Sequence, residues 1–338
     1  MKDDSDREIV KKSCQFVDLK NKHVLEGGFP SGRITYPTPI LPARPVLLDG
    51  GMGRELQFRG VPLSKSIWSA NGLLVAPDVV GQIHQDYVRA GADIITTNTY
   101  GLVREDLAKI GIENRFAELN EKACIIARRA CEITDQPILV AGSLPPLRGS
   151  FRPDRVGPKE EITLCYQEQA SLLAPHVDLF LCETMSSAAE GRAAVEGTLK
   201  TGKPVWVSWT LHEDFSGRLR SGETIAHAIS MLSDLPVSGF LVNCSAPASV
   251  TKAIPQLAAG TNQRIGGYAN TFHPIPIDWK LDGAEPSDGL LNLRDDLDPA
   301  SYAKYADKWL QEGATVVGGC CGTRPAHIKK IHELMTRV

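Results

Sequence analysis

The chain has 338 residues, 42% of them hydrophobic and 23% charged, an ordinary balance for a globular protein large enough to bury a core without disulfide or metal support. A formal net charge of −3 gives no reason to expect nucleic acid or an anionic membrane as partner. No apolar run approaches the roughly 20 residues that span a bilayer, and Met1–Lys12 is polar rather than signal-like, so no membrane partner and a reducing cytoplasm are expected.

Residues 1–44 are polar and rich in turn formers, and read as an N-terminal extension that wraps the outside of the fold or is partly disordered. From residue 45 to 338, short β-branched apolar runs alternate with amphipathic stretches. Strand Val46–Asp49 is followed by helix Pro77–Ala90, strand Asp93–Thr97 by helix Asn114–Ile133, and strand Ile138–Ser143 by helix Lys159–Ala174. The pattern continues with strand Asp178–Thr184 and helix Ala188–Lys200, strand Val205–Thr210 and helix Thr224–Leu235, and strand Gly239–Cys244 and helix Pro247–Ala258. Strand Arg264–Asn270 precedes helix Pro299–Glu312, and strand Thr315–Gly319 precedes helix Pro325–Thr336. Several helices open on proline, which suits the first helical turn. Eight such parallel βα units fit a closed (β/α)8 barrel of the α/β class better than an open doubly wound sheet. Residues 271–298 form a long Pro/Gly/Asp loop containing Trp279, of the kind that often serves as a lid.

In such a barrel the chemistry sits at the C-terminal ends of the strands. Those ends carry Asp49, Asn98, Gly142 with Ser143, Glu183, Asn243 with Cys244, and Cys320 with Cys321. Of the eight cysteines, Cys124, Cys131, Cys165 and Cys182 fall inside apolar runs and read as reduced, hydrophobic thiols. The formal sequon Asn243-Cys244-Ser245 closes a core strand and is set aside.

Gly318-Gly319-Cys320-Cys321-Gly322 is the informative segment. Successive strand side chains point to opposite faces, so both thiols can meet one ion only if the chain leaves extended geometry, which flanking glycines permit. Cys244 ends the sixth strand, two strands away from the eighth, so the three thiols can converge on one Zn2+ and leave a fourth position open. A vicinal pair alone could be a redox disulfide or two buried thiols; the third cysteine favours metal. No CxxC pair or fourth ligand of suitable spacing is present, and His327 falls inside a helix where packing is the better reading. Three thiolates weaken zinc as a Lewis acid and keep a fourth thiolate electron-rich, so the set suits activating a thiol substrate better than water. Gly51-x-Gly53 lacks the third glycine of a dinucleotide fingerprint, Leu56 standing in its place.

At these residues the chain resembles the homocysteine S-methyltransferase family. The resemblance is carried, in order, by Leu48-Asp49-Gly50-Gly51-Met52-Gly53, Thr96-Thr97-Asn98-Thr99-Tyr100, Ala141-Gly142-Ser143, Cys182-Glu183-Thr184, Val242-Asn243-Cys244 and the Gly318–Gly322 segment. It implies a zinc-dependent barrel enzyme that makes methionine from homocysteine, with Cys244, Cys320 and Cys321 as zinc ligands. It further implies that Asp49 and Glu183 fix the amino-acid head of homocysteine, chiefly its ammonium. Asn243 would orient or hydrogen-bond the metal site, and Gly50, Asn98 and Ser143 would line the substrate pocket. The methyl donor would be an onium compound: S-methylmethionine, S-adenosylmethionine or betaine. Leu144–Asp154 only loosely resembles the tyrosine-containing loop of S-methylmethionine users, and a folate-cobalamin route would need a partner protein. Trp209, Phe151, Tyr268 and Trp279 are the aromatic candidates to face the donor cation, with core packing as the alternative reading of each. A zinc barrel that hydrolyses or cleaves carbon bonds, and a non-catalytic thiol-rich metal-binding protein, are the competing readings. The former would want histidine at a strand end, and none is there; the latter leaves Asp49 and Glu183 without purpose. Oligomeric state is left open.

Overall fold

A computed structural model describes residues 41–42, 44–277 and 292–336. Eight strands form the centre: β1 (Val46–Leu47), β2 (Ile94–Thr96), β3 (Leu139–Leu144), β4 (Leu179–Met185), β5 (Val205–Trp209), β6 (Val237–Asn243), β7 (Arg264–Ala269) and β8 (Val316–Gly319). They pair in parallel in the order β1-β8-β7-β6-β5-β4-β3-β2. The ring closes between β1 and β2, where Asp93 N donates to Leu47 O (2.8 Å) and Asp49 N to Ile94 O (3.0 Å). This is the (β/α)8 barrel expected, with strand ends displaced by a residue or two.

Alternation along the strands builds two apolar shells. Outward residues such as Leu47, Ile95, Val140, Phe180, Val207, Val242 and Val317 pack beneath the helices. Inward residues, among them Val46, Leu48, Ile94, Leu179, Leu181, Trp206, Leu241 and Val316, fill the barrel itself. A fully buried side chain of this size contributes roughly 1.5–3 kcal/mol of hydrophobic stabilisation. The barrel is tight: a Cβ on Gly266 would lie 1.9 Å from Val316 O, so only glycine lets β7 meet β8 there. Continuing the inward parity toward the C-terminal ends gives Ser143, Glu183, Ser208, Asn243 and Tyr268, a polar layer on top of an apolar plug.

The outer helices follow the expected periodic segments closely, and prolines occupy the first turn of those beginning at Pro77, Pro247, Pro299 and Pro325. The helix expected over Thr224–Leu235 is shorter, Ile225–Ser230, and continues as turns. Three short helices were not foreseen: Met52–Phe58, Asn71–Val75 and Arg104–Ala108, each under two full turns and so without a readable period. Cys165 is disulfide-bonded, contrary to its reading as a reduced thiol. It lies on the half-buried face of helix Lys159–Leu173, whereas Cys124 and Cys182 are fully buried and free. Among the described residues no helix is long and apolar enough to cross a membrane.

Most of the expected N-terminal extension, and the centre of the 271–298 loop with Trp279, lie outside the described residues. The two described ends of that loop pair with each other beside the thiols. Phe272 bridges Leu293, Arg294 N donates to Thr271 O (2.8 Å), and Thr271 N donates to Cys321 O (3.0 Å).

Candidate active site and metal centre

The polar layer opens into a cavity of about 990 Å3, counting its mouth. Asp49, Gly50, Asn98, Glu183, Cys244, Cys320 and Cys321 all line it, as do Trp68, Tyr100, Phe151, Tyr268, Phe272 and Ile275. Ser143 and Asn243 stand in the same layer, immediately behind the lining.

The three thiols come from two chain turns. Cys244 directly follows β6 with φ of +49°, a left-handed conformation that swings its side chain out of the strand alternation and toward β8. Cys320 and Cys321 follow β8 in a turn in which Thr323 N and Oγ1 both donate to Cys320 O (3.1 and 2.7 Å) and Gly322 takes φ of +82°. The break from extended geometry thus rests on Gly322. Gly318 and Gly319 remain in the strand, and their lack of a side chain serves close packing: added Cβ atoms would lie 2.6 Å from Leu48 Cβ and 2.2 Å from Thr323 Oγ1. Gly51 does the same from the β1 side, its absent Cβ leaving room for Cys320 O at 2.7 Å.

The sulfurs all lie within 4.8 Å of one another, with Cys244 and Cys321 at 3.9 Å. Sulfurs ~2.3 Å from a tetrahedral zinc stand roughly 3.8 Å apart, so this donor set fits such an ion with little rearrangement. The cluster supports a thiolate at Cys321, held well below the usual thiol range by the hydrogen bonds of Cys244 and then Cys320. Cys244 is pushed up by the same crowding, Cys320 first. Asn243 places Nδ2 at 3.9 Å from Cys320 Sγ, and its amide is fixed on both sides. Its Oδ1 accepts from Thr184 N (2.9 Å) and Ser208 Oγ (2.8 Å), and its Nδ2 donates to Thr184 Oγ1 (2.9 Å).

The two carboxylates face the same cavity. Glu183 accepts from Ser143 Oγ (2.5 Å) and Tyr268 OH (3.2 Å). Burial pushes it up to about 7, with the charge at Cys320 adding to the shift. Asp49 accepts from Thr96 N (2.8 Å) and Thr96 Oγ1 (2.9 Å), yet burial carries it up to about 8. Two acids held near neutrality in one pocket make a site that favours a cation.

Other expected residues separate clearly. Asn98 has both ends of its amide on Ser69, Oδ1 accepting from Oγ (2.7 Å) and Nδ2 donating to the carbonyl (3.0 Å). Ser143 reaches the cavity through Glu183. Gly50 lines it, and a Cβ there would meet Thr323 Oγ1 at 2.8 Å and Tyr87 OH at 2.9 Å. Trp209 is not in the cavity. It shares the outward parity of Val207 and lies 6.0 Å from Phe240 in the strand–helix layer. Phe151 and Tyr268 do line the cavity, although the Tyr268 hydroxyl is engaged by Glu183. His327 packs as expected, with Nδ1 accepting from Arg324 N (3.1 Å) and Nε2 3.1 Å from Leu297 O. Ser208 and Trp68 carry no signal in any of the motifs, and Thr184 stands out only within Cys182-Glu183-Thr184; inward parity on β5 points to Ser208, beside a strand end already singled out.

Fold and site together are those of a barrel enzyme with a thiol-rich centre at its C-terminal rim. The sequence pattern described as homocysteine S-methyltransferase matches residues 46–335. The homocysteine S-methyltransferase of Escherichia coli (strain K12) is 30% identical over 304 residues, covering 84% of this chain and 93% of that protein. Homocysteine S-methyltransferase 2 of Zea mays is 26% identical over 320 residues, covering 86% and 90%. The Escherichia coli homocysteine methyltransferase MmuM, solved in a metallated form, superposes with a TM-score of 0.73 at 28% identity, covering 87% of this chain and 96% of that one. The chain belongs to the homocysteine S-methyltransferase family.

Proposed function

We propose that this enzyme transfers a methyl group from an onium donor (S-methylmethionine, S-adenosylmethionine or betaine) to the thiol of homocysteine, forming methionine, with Cys244, Cys320 and Cys321 holding Zn2+. The observation that carries this reading is the convergence of three sulfurs within 4.8 Å on the wall of a cavity that also holds Asp49 and Glu183. When bound, the ion supplies a site at which a substrate thiol is kept as a nucleophilic thiolate.

The chain's own residues do the rest. Asp49 and Glu183 take the ammonium of homocysteine and orient its side chain toward the sulfurs, Gly50 presenting bare backbone beside them. Ser143 and Tyr268 hold the Glu183 carboxylate in place. Asn243, clamped by Thr184 and Ser208, steadies the Cys320 sulfur. The Asn98 amide is oriented by Ser69 and keeps a second Nδ2–H and a second Oδ1 lone pair for the substrate. Phe151, Tyr100, Trp68 and Phe272 give the donor an aromatic surroundings suited to a cation. Holding acceptor and donor in line is the main contribution, and no covalent methyl-enzyme is required.

The test is incubation of zinc-loaded protein with homocysteine and each donor in turn, measuring methionine. At least one onium donor is expected to give methionine; none from any donor would overturn the proposal.

A further inference from the structure

Cys244 and the Cys320–Cys321 pair both lean on the end of β7, but only the Cys244 turn is also held by the segment after β5. The pair is fixed by its own neighbours: Cys320 N donates to Ala269 O (2.9 Å), Thr323 clasps Cys320 O, and Thr271 N donates to Cys321 O. Cys244 instead sits alone after β6 in a left-handed conformation that a side-chain-bearing residue adopts only when its surroundings impose it. The imposing contacts come from two sides: at the end of β7, Cys244 N donates to Tyr268 O (3.3 Å) and Asn270 N to Ser245 O (3.1 Å), and the segment after β5 supplies the rest. Leu211 N donates to Ser245 Oγ (2.9 Å), and Thr210 Oγ1 lies 3.4 Å from Cys244 O. Two residues beyond Cys244, Ala246 N donates to Glu213 Oε1 (2.8 Å), while Ser249 Oγ donates to Glu213 Oε2 (2.6 Å). Glu213 thus grips the chain at the exit of the cysteine turn and at the first turn of helix Pro247–Gly260 with both carboxylate oxygens.

We propose that Glu213 is a positioning residue for the metal centre: by clamping Ala246 and Ser249 it fixes the left-handed turn that presents Cys244 to the other two thiols. The inference rests on the zinc reading above and adds a residue that touches neither metal nor substrate. The bland alternative is that Glu213 only caps a helix. Capping predicts a general loss of stability, whereas positioning predicts a loss located at the metal. Removal of groups that orient metal ligands typically weakens metal binding by 10–100-fold.

The experiment compares Glu213→Ala, Glu213→Gln and Asp298→Ala with the unaltered protein. Asp298 caps another helix in the same chemical manner, accepting from Ser301 N (2.7 Å), but is exposed and outside the cavity. Zinc affinity is measured by chelator competition, the thiolate–metal charge-transfer band by cobalt substitution, and stability by thermal melting. Glu213→Ala should weaken zinc by about 10–100-fold and shift or diminish the cobalt band. Glu213→Gln, whose amide oxygen still accepts from Ala246 N, should recover most of both. Asp298→Ala should lower the melting temperature comparably and leave both metal readouts unchanged. Unchanged metal readouts in Glu213→Ala, or equal metal loss in Asp298→Ala, would overturn the proposal. If Glu213→Ala does not fold, Ser249→Ala decides by the same criteria, since it releases one arm of the clamp. Absence of a thiolate–cobalt band in the unaltered protein would overturn the zinc reading itself.

Discussion

Asp49 and Glu183 are buried, 6% and 9% exposed, and neither has a cationic partner among its hydrogen bonds. Folding alone therefore leaves both carboxyls with ordinary protonation displaced upward, to about 8 and about 7. A substrate ammonium reverses that displacement by favouring the ionised forms. The KM for homocysteine should accordingly fall as pH rises from about 6 to about 8, through the range in which these groups titrate. Glu183→Gln should raise that KM by roughly 10- to 100-fold, the worth of one charge-assisted hydrogen bond, with a smaller effect on kcat and a flatter pH profile. The same shift has a stability consequence of opposite sense. Between the ordinary value of 3.8 and about 8, the unfolded chain has released a proton that folded Asp49 still holds, so rising pH removes stability across that window. Urea titrations of metal- and substrate-free protein should show this slope, and Asp49→Asn should flatten it.

The thiols were legible because cysteines are poor residues to leave at solvated strand ends, and the acids because their motifs resemble those of the family. Tyr268 on Glu183, and Ser208 with Thr184 on Asn243, were not, because each pairing joins residues from different strands. Trp209 takes the packing role that alternation within β5, opposite Ser208, assigns it.

Among the elements, the turn after β8 carries the heaviest constraint. Three close approaches converge on it: Gly51 against Cys320 O, Gly318 against Leu48 and Gly319 against Thr323. Gly319→Ala would push a methyl group to within 2.2 Å of Thr323 Oγ1 and 2.7 Å of Thr323 Cβ, so Thr323 must release Cys320 O or the turn must move. The expected cost is about 1–3 kcal/mol of stability, typical of overpacking, with zinc affinity lowered in parallel. A variant with normal zinc binding and normal melting would show that Thr323 yields freely. The strands and long helices were readable from period two and period 3.6. The role of the glycines was only half readable: sequence shows that space is wanted, and the packing of β1 against β8 shows which atoms want it.

For the whole molecule, the question is whether metal builds the fold or only the site. The barrel interior and the strand–helix layer are closed by aliphatic and aromatic residues, and Cys320 merely borders the inner cluster. Chelation should therefore leave the far-ultraviolet circular dichroism spectrum intact while lowering the melting temperature. Zinc at 1,000 times its Kd would account for about 4 kcal/mol of stability by mass action. Collapse of secondary structure on chelation would instead make the centre a structural one. The barrel was legible from eight alternating units, but the disulfide at Cys165 was not, because spacing shows neither which face of helix Lys159–Leu173 a thiol occupies nor what reaches it.

With Cys244, Cys320 and Cys321 on zinc, one metal position would be left for the substrate's sulfur. X-ray absorption at the zinc edge tests it directly, on zinc-loaded protein with and without homocysteine. Three sulfur ligands at ~2.3 Å and one lighter ligand are expected, becoming four sulfurs when homocysteine is added. Cys320→Ala should lose the ion. An unchanged ligand shell on adding homocysteine, or full zinc occupancy and activity in Cys320→Ala, would contradict it.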